Sequence, residues 1–139
     1  MIYYAVIDTN VLISALLSSK EDTATVQILR KVINGEIIPV YSNIIRKEYR
    51  EVLSRKKFGF SVETTEYLMA AIEKYGILIE PSPSEIILPD KKDIPFYEVA
   101  LEKRSDETYL VTGNIKHFPT DPFIVTPREL IKIMDKNSM

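Results

Sequence analysis

Alternating strand and helix segments predict an α/β fold, a mainly parallel five-stranded sheet covered by helices on both faces. Three observations carry the expectation. Tyr3-Tyr4-Ala5-Val6-Ile7 is an unbroken β-rich apolar run without alternation, the habit of a central strand buried on both faces. Further short apolar strands recur at Ile37–Tyr41, Ile77–Glu80, Tyr109–Thr112 and Phe123–Val125, mostly with room for helices between them. No repeat, low-complexity tract or long linker divides the chain, so residues 1–139 are expected to form one domain.

The elements follow in order. The first strand stops on Asp8, and Thr9 and Asn10 are good helix-capping residues before Val11-Leu12-Ile13 resumes the apolar run. After a polar loop, Asp22 or Thr23 caps a helix running to about Asn34, where Asn34-Gly35 ends it. Pro39 marks the second strand as short or near an edge. Ser42 or Asn43 then caps a longer helix reaching about Lys57, broken by Gly59. Ser61 with Thr64-Thr65 opens the next helix, through Lys74, and Gly76 closes it. Pro81-Ser82-Pro83 and Pro89-Asp90 frame a loop whose Ile86-Ile87-Leu88 should tuck against the core. Pro95 opens a helix to about Arg104. Thr126-Pro127-Arg128-Glu129 is a capping box with proline in the first helical position.

Composition removes several function classes. Hydrophobic residues make up 45% and charged residues 27%, the balance of a soluble globular protein. A formal net charge of -2 gives no global attraction to nucleic acid, so any such binding requires a local basic patch. The absence of cysteine rules out disulfides, thiolate metal sites and a cysteine nucleophile. Without a membrane-length apolar run or a signal peptide, a cytoplasmic location and no membrane partner are the expectation.

The chemistry lies in dispersed acids. An acid at the carboxyl end of a central strand, beside a helix start, occupies the place where open α/β sheets bind ligands, although capping alone would also explain Asp8. On the helix after the second strand, Ile45, Tyr49, Val52 and Leu53 form an apolar stripe, and Glu48 falls within it or at its margin. An inward glutamate needs a cation, a metal or water, unless Arg55 pairs with it. Asp93 precedes the helix opened by Pro95; Ile94, being before proline, is biased away from helical geometry, and Asp93 serves there as a cap or a ligand. Thr112-Gly113-Asn114 supplies a further polar strand end, with Asn114 able to cap, turn the chain or orient a ligand.

These segments together resemble the PIN domain family. The resemblance rests on Ile7-Asp8-Thr9-Asn10, Glu48 within Ser42–Glu48, Asp93 within Asp90–Asp93, Leu110–Asn114 and Val125-Thr126-Pro127, and covers nearly the whole chain. Val52–Phe58 looks like a segment of the branch related to VapC-type toxins. The resemblance implies a three-layer α/β/α sandwich and a metal-dependent ribonuclease, with Asp8, Glu48 and Asp93 as catalytic residues and ligands of Mg²⁺ or Mn²⁺. It also implies a homodimer and an antitoxin partner. One position departs from the family: its usual fourth acid is Asn114 here, and many members carry an acid near His117. Three carboxylates can hold one hard cation; the amide at Asn114 weakens a second site.

For the substrate, Arg55, Lys56 and Lys57 lie beyond Glu48 on its expected helix and are candidates for phosphate contact; a solvated charged face is the alternative. Thr9 either positions a ligand water or makes a local backbone contact, and His117 either donates a proton to the leaving oxygen or is solvated. Asn114 also leaves open a catalytically weak or inactive RNA-binding PIN domain. A phosphatase using Asp8 as nucleophile, as in haloacid dehalogenase-like enzymes, would need a second aspartate where Asn10 stands.

Overall fold

The computed structural model describes residues 2–138. Five strands, β1 (Tyr3–Ile7), β2 (Ile37–Tyr41), β3 (Ile77–Leu78), β4 (Tyr109–Val111) and β5 (Ile124–Val125), lie parallel in one sheet of order β3-β2-β1-β4-β5. Six helices connect and follow them: α1 (Thr9–Leu17), α2 (Ala24–Ile33), α3 (Asn43–Leu53), α4 (Val62–Tyr75), α5 (Ile94–Glu102) and α6 (Pro127–Asn137). Ala5, Val6 and Ile7 are buried in succession. Because successive strand residues point to opposite faces, helices cover the sheet on both sides, and the expected α/β sandwich is present. No helix among the described residues is long and apolar enough to cross a membrane.

Register is what positions the chemistry. Ile7 pairs with Val111, and the Asp8 N–H donates to the Val111 carbonyl at 2.9 Å, carrying the ladder one residue past the strand. Asp8 and Thr112 therefore stand side by side at the carboxyl edge. Beneath them, the buried Tyr49 hydroxyl donates to the Ile7 carbonyl and ties α3 to the central strand. In β2 the Pro39 carbonyl points to Gly76, so its missing N–H also faces the edge side, just ahead of the two-residue β3. Gly76 is required there: a Cβ would lie 2.4 Å from the Ile72 carbonyl oxygen and 2.7 Å from that of Pro39.

Several expectations need correction. The helix after β2 ends at Leu53, not near Lys57, because the Ser54 hydroxyl donates back to the Arg50 and Glu51 carbonyls and Arg55 turns extended. Arg55, Lys56 and Lys57 thus leave the helix that bears Glu48; Lys56–Phe58 forms a separate 3-10 turn ended by left-handed Gly59. The third strand is two residues long, since the chain leaves the sheet toward the Pro81–Pro83 loop, and β5 begins one residue late. In that loop Leu88 is buried and Ile86 packs on the core, but Ile87 is 91% exposed. Ile94 is helical despite the following proline, so the bias imposed by Pro95 yields to continuation of the Lys91–Asp93 turn into α5. The Thr126–Glu129 capping box forms as expected.

Candidate functional site

Three carboxylates arrive at one cavity of about 410 Å³ from three segments: Asp8 after β1, Glu48 from the middle of α3, and Asp93 from the turn before α5. Thr9, Arg55, Asn114 and His117 also line it; Lys56 and Lys57 do not. Asp8 and Asp93 both hold N-cap positions, yet neither side chain makes a cap hydrogen bond. The capping explanation for these two acids is therefore not realised, and their carboxylates face other partners.

Those partners are two threonine hydroxyls and an imidazole. Thr112 Oγ1 donates to Asp8 Oδ2 at 2.7 Å, and its own oxygen accepts from the Asn114 N–H at 3.0 Å. The Thr9 hydroxyl donates to Glu48, a tertiary contact rather than the local backbone contact. His117 Nδ1 lies 3.2 Å from Asp93 Oδ2; facing an ionised carboxylate, that nitrogen carries the proton. Neither lysine nor arginine pairs with the three acids in the described structure. Arg55 instead grips Glu51 on the rim, at 2.8 Å.

The electrostatics follow. Burial raises the Asp8 pKa; the Thr112 bond lowers it, the charge of Asp93 raises it, and the backbone N–H groups of Asn10 and Thr9 lower it. Burial likewise raises Glu48, opposed by the Thr9 bond and reinforced by Asp8, with Lys92 lowering it from a distance. Asp93 is raised by burial and by neighbouring Asp90, while His117 lowers it. Each acid senses another of the three, and among the described residues none has a lysine or arginine in contact.

Such a donor set suits a hard divalent cation: oxygen ligands, net negative charge and a hydrated opening. Among the described residues no three His, Cys, Asp or Glu side chains are placed to hold a metal ion as they stand. Asn114 stands on the exposed rim and offers an amide oxygen where a fourth charge would sit.

Sequence reasoning left Thr112 and Tyr49 without site roles, and did not place Asp90 or Lys92 beside the acids. The polar end of the fourth strand was the available signal for Thr112, but its pairing with Asp8 depends on strand order.

A family model described as PIN domain matches residues 4–116, most of the chain and all three acids. No curated protein matches it.

Proposed function

This chain belongs to the PIN domain family, and we propose from that premise that it is a Mg²⁺- or Mn²⁺-dependent endoribonuclease acting as one unit over residues 1–139. PIN domains are generally nucleases, commonly metal-dependent. The observation that supports the finer reading is the convergence of Asp8, Glu48 and Asp93 on one cavity, all with raised pKa and no lysine or arginine in contact among the described residues.

In this reading Asp8, Glu48 and Asp93 hold the cation. A cation held there would supply acidification of a bound water and neutralisation of charge on the phosphate oxygens. Thr112 and Thr9 orient the carboxylates of Asp8 and Glu48 through their hydroxyls. His117 orients Asp93. The test is cleavage of single-stranded RNA with and without added Mg²⁺ or Mn²⁺; turnover that survives a chelator would overturn the assignment.

A second reading, an RNA-binding domain of weak or no activity, draws on Asn114; binding without metal-dependent cleavage would select it. The toxin role rests on the likeness of Val52–Phe58 to VapC-type proteins, with a cytoplasmic location and an antitoxin partner as its corollaries. A neighbouring gene without a small DNA-binding antitoxin would count against it. Exposed Ile44, Val62, Tyr67 and Tyr75 on α3 and α4 offer an apolar face for the homodimer, which sedimentation at micromolar concentration would test.

A further inference from the structure

A second cavity, of about 600 Å³, opens beside the first, and the two share Asn10 and Asn114 on their walls. They differ in charge. Asp8, Glu48, Glu51, Asp90 and Asp93 line the first; no carboxylate lines the second, whose one ionised side chain is Arg128. Arg128 is exposed and makes no ion pair among the described residues. The hydroxyls of Ser14, Thr23 and Thr25 complete the polar wall.

Two independent features point to an anionic occupant. Thr23 holds the N-cap position of α2 without a side-chain cap hydrogen bond, donating instead to the Lys20 carbonyl, so the first-turn amides of this ten-residue helix stay open toward the groove. Asn10 Oδ1 is sealed from solvent and has no hydrogen-bond partner. The only polar atom of that side chain left to reach a ligand is the Nδ2 donor, the polarity a phosphate oxygen requires.

An RNA strand whose scissile phosphate sits among carboxylates must carry its next phosphates out of that cavity. Five acids on its walls outweigh two cations, of which Arg55 is already paired with Glu51 and Lys92 stands among Asp90 and Asp93. We propose that the acid-free groove is the track of the RNA strand leaving the catalytic cavity, with Arg128, Asn10 and the first turn of α2 holding the adjacent phosphate. The inference rests on the ribonuclease reading and moves substrate contact away from Arg55, Lys56 and Lys57.

The test uses the full chain carrying Asp8→Asn, titrated with a short labelled single-stranded RNA at several salt concentrations. Adding Arg128→Glu should weaken binding about tenfold or more and reduce the slope of log affinity against log salt by about one. Thr25→Asp should weaken binding too, while melting temperature holds level or rises, because an acid in the first turn favours the helix dipole. Glutamate at position 128, in the first turn of α6, is compatible with the fold for the same reason. Weakened binding in both variants at retained melting temperature supports the track. Unchanged affinity in both, with wild-type protein still cleaving RNA in a metal-dependent way, overturns the track alone. Wild-type protein that neither cleaves nor binds RNA overturns the track and the ribonuclease reading together.

Discussion

Glu48 and Glu51 stand three residues apart on α3 and have opposite surroundings. Glu51 faces outward and is gripped by Arg55 through two nitrogens, at 2.8 and 3.3 Å. Nearby on the outer face, Arg50 reaches Glu66 at 2.8 Å and Glu73 at 3.1 Å, joining α3 to α4. Glu48 is half-buried, takes a neutral hydroxyl from Thr9, and sits near two further acids. On the outer face these charges are matched, and the Arg50 pairs hold two helices together. In the cavity the charge is left unmatched at a cost to the folded state, which is the arrangement expected of a site completed by a cation.

The sharpest way to break this contrast is Asp8→Asn. It removes one charge but keeps size and a hydrogen-bonding oxygen, so Thr112 retains its acceptor. Cleavage of single-stranded RNA should fall by about two orders of magnitude or more, since metal positioning and water activation depend on that charge. Metal-free thermal stability should hold level or rise. A variant that cleaves at the wild-type rate would remove Asp8 from the chemistry.

The paired substitutions Glu48→Gln and Glu51→Gln make the same chemical change on the same helix. The first should reduce cleavage about a hundredfold without destabilising the metal-free protein. The second should leave cleavage within a few fold and cost about 0.5 kcal/mol or less, the scale of an exposed helical ion pair. Equal effects on activity would erase the distinction between the two faces. Asn114→Asp extends the unmatched charge to the fourth position and should tighten divalent-cation binding several-fold by calorimetry. Unchanged affinity would place Asn114 outside the metal's surroundings.

The smallest effect is in pH. Asp8, Glu48 and Asp93 are all raised from ordinary values of 3.8, 4.5 and 3.8. Above those values the unfolded chain has released protons that the folded chain still holds. Stability without metal should therefore fall as pH rises from the ordinary values through the raised ones, and the favourable contribution is fully present only below that window. Denaturant melts of Asp8→Asn should show a shallower decline, and those of Glu51→Gln the wild-type slope.

Much of this site could be read in the sequence for definite physical reasons. The unbroken apolar run ending on Asp8 marks a central strand and its carboxyl end together, and the helical phase of Glu48 against Ile45, Tyr49 and Val52 marks an acid at the edge of a buried stripe. Three things could not be read. The end of α3 depends on Ser54, whose back-bonding competes with a following Arg55-Lys56-Lys57 run that helix propensity alone would continue. The donor for Asp8 is 104 residues away, and only the β1–β4 pairing brings it near. The acid-free groove is a property of three separate helix starts, so no local stretch announces it.

That pairing also sets a schedule. β1 is made early, but one of its two neighbours, β4, does not exist until Tyr109–Val111 has been synthesised. Until then the central strand presents a bare edge on one side, and Asp8 lacks Thr112. Contacts of such long sequence separation form slowly, because loop closure precedes their reward. The acid cluster thus comes into being only when the sheet closes over its centre, long after Asp8 itself has emerged. On the ribonuclease reading, no nuclease centre exists on the nascent chain before residues 109–112 have emerged.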